Sequence, residues 1–168
     1  MRPKELADDY AGTAAVVKHA VEWILTHDRP VETVCCIYAT APFLAQTDYL
    51  KQGYERLVRS DKSYAFSVTT FPFPIQRAIR ITEDGGVDLI WSEHRETRSQ
   101  DLEEAYHDAG QFYWGTAEAF LNDEPILSNA AIPIVLPRYL VQDIDTLEDW
   151  RRAELMFQVL IDAGEIRV

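Results

Sequence analysis

Between Pro30 and Pro42 lies an uninterrupted apolar run, Val34-Cys35-Cys36-Ile37-Tyr38-Ala39. Side chains of a strand alternate between faces, so a run apolar at every position reads as a central parallel strand covered on both sides. A helix is expected ahead of it, starting near Thr13 and ending before Pro30, with Val16, Val17, Ala20, Val21, Ile24 and Leu25 on one stripe. Behind the run, Thr47-Asp48 is expected to cap a second helix carrying Leu50, Tyr54, Leu57 and Val58, and Tyr64 to Thr70 reads as another strand. Strand, helix, strand is the crossover unit of a parallel sheet. The expected fold class is therefore α/β with a mostly parallel sheet.

Phe71-Pro72-Phe73-Pro74 interrupts this pattern. Ile75 to Ile81, the turn Glu83-Asp84-Gly85-Gly86 and Val87 to Trp91 predict a β-hairpin, and the charged stretch Ser92 to Glu104 a solvated loop or arm. Beyond it, Gln111 to Trp114 reads as a short strand, Thr116 to Leu121 as a short helix and Ile132 to Leu136 as a last buried strand. A helix from about Thr146 to Asp162 stops at Gly164. The chain reads as one domain, with a β-rich excursion between about residues 72 and 110. It contains no glycine-rich phosphate loop, since Gly85-Gly86 belongs to the hairpin turn.

Sixteen Lys and Arg against 28 Asp and Glu give a formal charge of -12, which opposes any grip on nucleic acid through phosphate neutralisation. An anionic substrate would need a local basic pocket or a metal ion. The only two cysteines, Cys35 and Cys36, are adjacent, which excludes a disulfide framework and suits a reducing compartment. They are expected to be buried small hydrophobes, not nucleophiles. With no secretory leader pattern and no apolar window of roughly 18 residues, the expectation is a cytoplasmic protein without membrane association.

Four segments could carry chemistry. Asp143-Ile144-Asp145-Thr146 lies between a strand and a helix, and alternation in an extended segment puts both carboxylates on one side, where they could bind a hard cation. The alternative is that Asp145 or Thr146 caps the helix, with Glu148 and Asp149 favouring its N-terminus. In the stretch Tyr106 to Trp114, His107, Asp108, Gln111 and Tyr113 offer donors and acceptors beside Gly110, or they form a packed turn. Arg95 and Arg98 could receive a carboxylate or phosphate, or stand on a wet surface. Thr40-Ala41-Pro42-Phe43 occupies the carboxyl end of the central strand, where open α/β sheets bind ligands, or its proline only stops the strand.

Taken together these blocks resemble a known family. Arg2-Pro3-Lys4-Glu5-Leu6-Ala7-Asp8-Asp9 with Gly12-Thr13, then Tyr38-Ala39-Thr40-Ala41-Pro42-Phe43, then His107 to Trp114, then Asp143-Ile144-Asp145-Thr146 with Asp149-Trp150, look like the acylneuraminate cytidylyltransferases. These activate nine-carbon acidic sugars as CMP conjugates from CTP and magnesium. Sialic acid enzymes typically end the central strand with Gln-Pro-Thr-Ser-Pro, and this chain has Tyr38-Ala39-Thr40-Ala41-Pro42. With Tyr106 to Trp114, that difference resembles the pseudaminic acid branch.

The resemblance implies a nucleotide-diphospho-sugar transferase fold, Rossmann-like, and a reaction in which the sugar's anomeric hydroxyl attacks the α-phosphorus of CTP and releases pyrophosphate. It implies that Asp143 and Asp145 hold Mg2+ and are catalytic, that Arg2 and Thr13 line the cytidine side, and that Gln111, Phe112 and Tyr113 contact the sugar with Tyr38 nearby. The excursion would serve a homodimer and bring Arg98 toward the partner's site. Family members carry, ahead of the Arg2-Pro3 block, a strand and a phosphate-binding loop rich in Gly, Arg, Ser and Lys that this sequence does not contain. The expectation for a chain without that cradle is reduced activity. The alternative to a working cytidylyltransferase is a catalytically incomplete fragment that keeps only sugar binding or dimerisation.

Overall fold

The computed structural model describes residues 2–8, 10–44 and 48–166. Thr47, expected to cap the second helix, and Asp9, from the opening block, lie outside the described residues.

Helix α1 (Thr13–His27) buries Val17 and Val21 on the expected stripe, and strand β1 (Thr33–Ile37) follows. Helix α2 (Asp48–Val58) leads to β2 (Tyr64–Thr70), and β3 (Ile79–Ile81) with β4 (Val87–Leu89) forms the expected hairpin. Then come β5 (Tyr106–Thr116), α3 (Ala117–Leu121), β6 (Ala131–Val135) and α4 (Leu147–Asp162). The charged arm between the hairpin and β5 contains two short 3-10 turns, Ser92–His94 and Ser99–Asp101. Among the described residues no helix is long and apolar enough to cross a membrane.

The main sheet has the order β1-β5-β2-β6. Here the mostly parallel expectation is corrected: β5 runs antiparallel to both β1 and β2, so β2 and β6 form the one adjacent parallel pair in this sheet. Three of the four strands still point the same way. The run around Cys35 is also not central. Strand β1 is an outer strand of the described sheet and pairs only with β5; the centre is β2, buried at six of its seven positions. Both faces of β1 are nevertheless covered, with Cys36 packed against the α1/α3 side and Cys35 against the α2 side. Strand β6, expected to be buried, is an alternating outer strand with Pro133 and Val135 exposed. Proline, which has no N–H to donate, is tolerated on such a strand.

One face of the sheet packs Tyr64 against Val17 and Val21 of α1 and Phe120 of α3. The other packs Ala65, Phe112, Ile132 and Ile134 against Leu57 of α2. Helix α4 adds a third cluster, in which Ala153 and Leu160 meet Phe43 and Leu140. The layers are those of an α/β domain.

Strand β5 is much longer than its expected four residues because it continues through a bulge. From Phe66 to Val68, β2 advances two residues, whereas β5 passes from Tyr113 to Asp108, five residues, so three are extra. Gly110 sits in this bulge at φ +61, a conformation that side chains with a Cβ rarely adopt. The Ser67 hydroxyl closes the gap, accepting from the Gln111 and Phe112 N–H groups at 3.2 and 3.1 Å.

Candidate functional site

The bulge decides which side chains meet. Residues five apart on a regular strand face opposite ways, but the three extra residues put Asp108 and Tyr113 on the same face. The Tyr113 hydroxyl donates to both Asp108 carboxylate oxygens at 2.8 Å, and the Gly110 N–H donates to Oδ1 at 2.9 Å. Burial first, and the Asp108 carboxylate second, push the Tyr113 phenol well above its ordinary range, so it is a fixed proton donor. Its ring stacks on Phe66 at 6.0 Å and lies 5.3 Å from the Tyr38 ring. Tyr38, just past β1, donates its hydroxyl to Thr13 Oγ1 at the start of α1 (3.0 Å). These groups rim a small hollow with an apolar floor of Val17, Cys36, Phe120 and Ile126.

A larger cavity of about 590 Å3 opens on the other side of Asp108. Asp143 and Asp145 border it, with His107, Arg138, Asp149 and Arg152. The extended segment ahead of α4 presents Asp143 and Asp145 to solvent, and among the described residues neither carboxylate has a hydrogen-bond or ion-pair partner. Asp149 differs. Its carboxylate accepts from the Thr146 hydroxyl at 2.7 Å and the Thr146 N–H at 3.0 Å, while Thr146 Oγ1 accepts from the Asp149 N–H, a reciprocal capping box. The hydrogen bond from the Thr146 hydroxyl, foremost, holds the Asp149 carboxyl below its usual range. The cap is thus built by Thr146 and Asp149, and the Asp143 and Asp145 carboxylates take no part in it.

The described residues contain no group of three His, Cys, Asp or Glu side chains placed to hold a metal. Two carboxylates beside a roomy cavity fit Mg2+, which takes one or two protein carboxylates and fills its shell with water and phosphate oxygens. Arg138 and Arg152 are the cavity's cations. Arg138 spends one N–H on the Phe71 carbonyl (3.3 Å), and Arg152 acts electrostatically on the Asp149 carboxylate. Sequence reasoning named neither. Arg152 follows Asp149 by three positions, a spacing that shares a helix face.

The remaining expected site residues are dispersed. Gln111 is fully buried, its amide N–H donating to the Ala109 carbonyl at 3.0 Å and lying 3.5 Å from the Gln142 carbonyl, while its Oε1 has no partner among the described residues. The neighbouring Gln142 amide donates to the Asp143 carbonyl (2.7 Å) and to Asp149 Oδ1 (3.3 Å). Gln111 is therefore a strut from the bulge to the segment that carries Asp143. Phe112 is fully enclosed in the core on the opposite face. Arg2 borders a separate apolar hollow along α1, with His19 and Trp23, and is not brought to Thr13's hollow. Arg98 is held by Asp101 at 2.8 Å on the exposed arm. Burial raises both thiols, Cys35 to about 12, so neither is poised as a nucleophile.

No family model matches the chain. Curated relatives do. A protein of Campylobacter jejuni subsp. jejuni serotype O:2, named pseudaminic acid cytidylyltransferase, is 43% identical over 159 residues, covering 95% of this chain and 68% of the relative. The same-named protein of serotype O:23/36 is 42% identical over the same shares. The chain belongs to the pseudaminic acid cytidylyltransferase family. A Helicobacter pylori protein named pseudaminic acid cytidylyltransferase and UDP-2,4-diacetamido-2,4,6-trideoxy-beta-L-altropyranose hydrolase is 35% identical over 159 residues, which cover 94% of this chain but 30% of that protein. The segment shared with pseudaminic acid cytidylyltransferases contains both hollows and the bulge between them.

Proposed function

We propose that this chain carries out cytidylyl transfer, passing CMP from CTP to the anomeric hydroxyl of pseudaminic acid with release of pyrophosphate. The observation that supports it is the adjacency of two unlike hollows in a chain of this family: a polar cavity with a carboxylate pair and two arginines, and a small apolar-floored one rimmed by hydroxyls, sharing a single wall residue.

In this reading Asp143 and Asp145 hold Mg2+, which when bound neutralises the phosphate charge that grows as pyrophosphate departs. Arg138 and Arg152, which line the same cavity, receive oxyanions and supply the local positive charge that offsets a net charge of -12. Tyr38, Thr13 and Tyr113 orient the sugar, whose acyl group suits the floor of Val17, Cys36 and Ile126. That places Thr13 with the sugar and leaves Arg2 for the cytidine. Gln111 and Phe112 act behind the sugar side, as strut and core. The protein's contribution is positioning and electrostatics.

The sheet is taken as a Rossmann-like nucleotidyltransferase layer and the hairpin as the contact of a homodimer, since Ile79, Ile81 and Val87 are exposed on it and Phe73 just ahead of it. The test is intact-mass detection of CMP-pseudaminic acid after incubation with CTP, Mg2+ and the sugar. The expected result is product from the unaltered chain and none from Asp143→Asn or Asp145→Asn. Absence of product counts against the reading. Product appearing only when the chain is joined to the further segment that the relatives carry would make it the sugar-side part of the enzyme.

A further inference from the structure

The reaction needs an acceptor for the proton of the attacking hydroxyl, and the site described so far names none. Among the described residues lining the two hollows, Asp108 alone borders both. A sugar in the small hollow and a triphosphate beside Asp143 and Asp145 would have to meet at that wall. The other acidic groups are placed for different work: Asp149 is locked in the helix cap, and Asp143 and Asp145 border only the larger cavity. His107 also borders only the larger one, and its Nδ1–H is spent on the Asp108 carbonyl at 2.8 Å.

We propose that the Asp108 carboxylate is the proton acceptor for the attacking hydroxyl, an inference that rests on the cytidylyl-transfer reading. In the step, the anomeric oxygen forms a bond to the α-phosphorus while the bond from that phosphorus to the α,β-bridging oxygen breaks. The electron pair leaves on pyrophosphate, and the hydroxyl proton passes to Asp108. The single Tyr113 hydroxyl hydrogen, shared between the two Asp108 oxygens, and the Gly110 N–H on Oδ1 fix the direction of the carboxylate, and a carboxylate has about four lone-pair positions, so acceptor capacity remains for the substrate. Close approach of the two walls is built in, since a Cβ added at Gly110 would stand 3.8 Å from the Asp143 carboxylate.

The test compares the unaltered chain with Asp108→Asn, Asp108→Ala and Tyr113→Phe in CMP-sugar formation. Asparagine still accepts from Tyr113 and Gly110, so that variant keeps the bulge while losing the base. Its kcat should fall by about 10²–10⁴-fold with KM for both substrates little changed. Formate should restore part of the rate to Asp108→Ala but none to Tyr113→Phe, a rescue that a purely structural role would not give. An Asp108→Asn variant with unchanged kcat, or one impaired only in KM for the sugar, overturns the proposal and leaves the cytidylyl-transfer reading intact. No product from the unaltered chain overturns both.

Discussion

Gly115 is the next-to-last residue of β5, paired with Val34 on one side and Tyr64 on the other. A Cβ there would stand 2.6 Å from Phe120 Cε2 and 2.7 Å from Tyr64 Cδ1 and Cε1. Carbon atoms settle at about 3.5–4.0 Å, so one partner would have to retreat by roughly 1 Å. None is free to do so. The Tyr64 hydroxyl donates to the Glu124 carbonyl at 3.0 Å, its ring meets Phe120 edge-on at 5.3 Å, and the two residues are 1% and 3% exposed. Ladders on both sides hold the backbone. Gly115→Ala is therefore expected to cost about 2–3 kcal/mol, near the upper end of overpacking substitutions. For a chain of this size that lowers Tm by roughly 4–12 °C, measurable by circular dichroism. Adding Phe120→Leu, which removes the offending ring edge, should cost less in the Gly115→Ala background than alone, a coupling of about 1 kcal/mol. If Gly115→Ala melts within about 1 °C of the unaltered chain, the rings can move and the close-packing argument fails.

Three further outcomes follow from the helix cap and the core. Thr146→Ala removes the acceptor for the Asp149 N–H and should cost about 1 kcal/mol in urea melts. Because the Asp149 carboxyl is held low in the folded chain, its contribution to stability is present above the ordinary carboxylate range and fades as pH falls through its lowered folded value; Asp149→Asn should lose stability at neutral pH and match the unaltered chain in acid. Phe112→Leu should lower Tm while leaving KM for the sugar unchanged; a raised KM with unchanged Tm would put the ring in contact with the sugar.

What the sequence discloses here is coverage, not neighbours. The run around Cys35 and Cys36 correctly announces a strand covered on both faces, but an outer strand flanked by two helical layers has the same composition as a central one. The hairpin, the stripe on α1 and the cap of α4 were readable because each is set by residues a few positions apart. Alternation likewise anticipated the shared cavity of Asp143 and Asp145. The pairing of Asp108 with Tyr113 was not readable, since it depends on an irregularity fixed by Ser67, more than forty positions away on β2. Nor was the role of Gln111, where an amide that looks like a ligand donor is consumed by two backbone carbonyls. Arg98 shows the opposite error: a cation free in the sequence is neutralised three residues later by Asp101.

The bulge in β5 also acts as a phase shifter. Three extra residues is an odd number, so the strand enters with one alternation and leaves with its inverse. Ahead of the bulge, the side chain aligned with Tyr113 is Asp108; without it, the side chain opposite Val68 would be Gln111 and Asp108 would turn to the other face. Composition inside the loop is thus a local matter, whereas its length is not. A change of one residue would exchange inside for outside along β5 on one side of the loop, against neighbours bonded to it on both sides. The parity of a short stretch of backbone, more than any single side chain in it, keeps the carboxylate of one hollow within reach of the other.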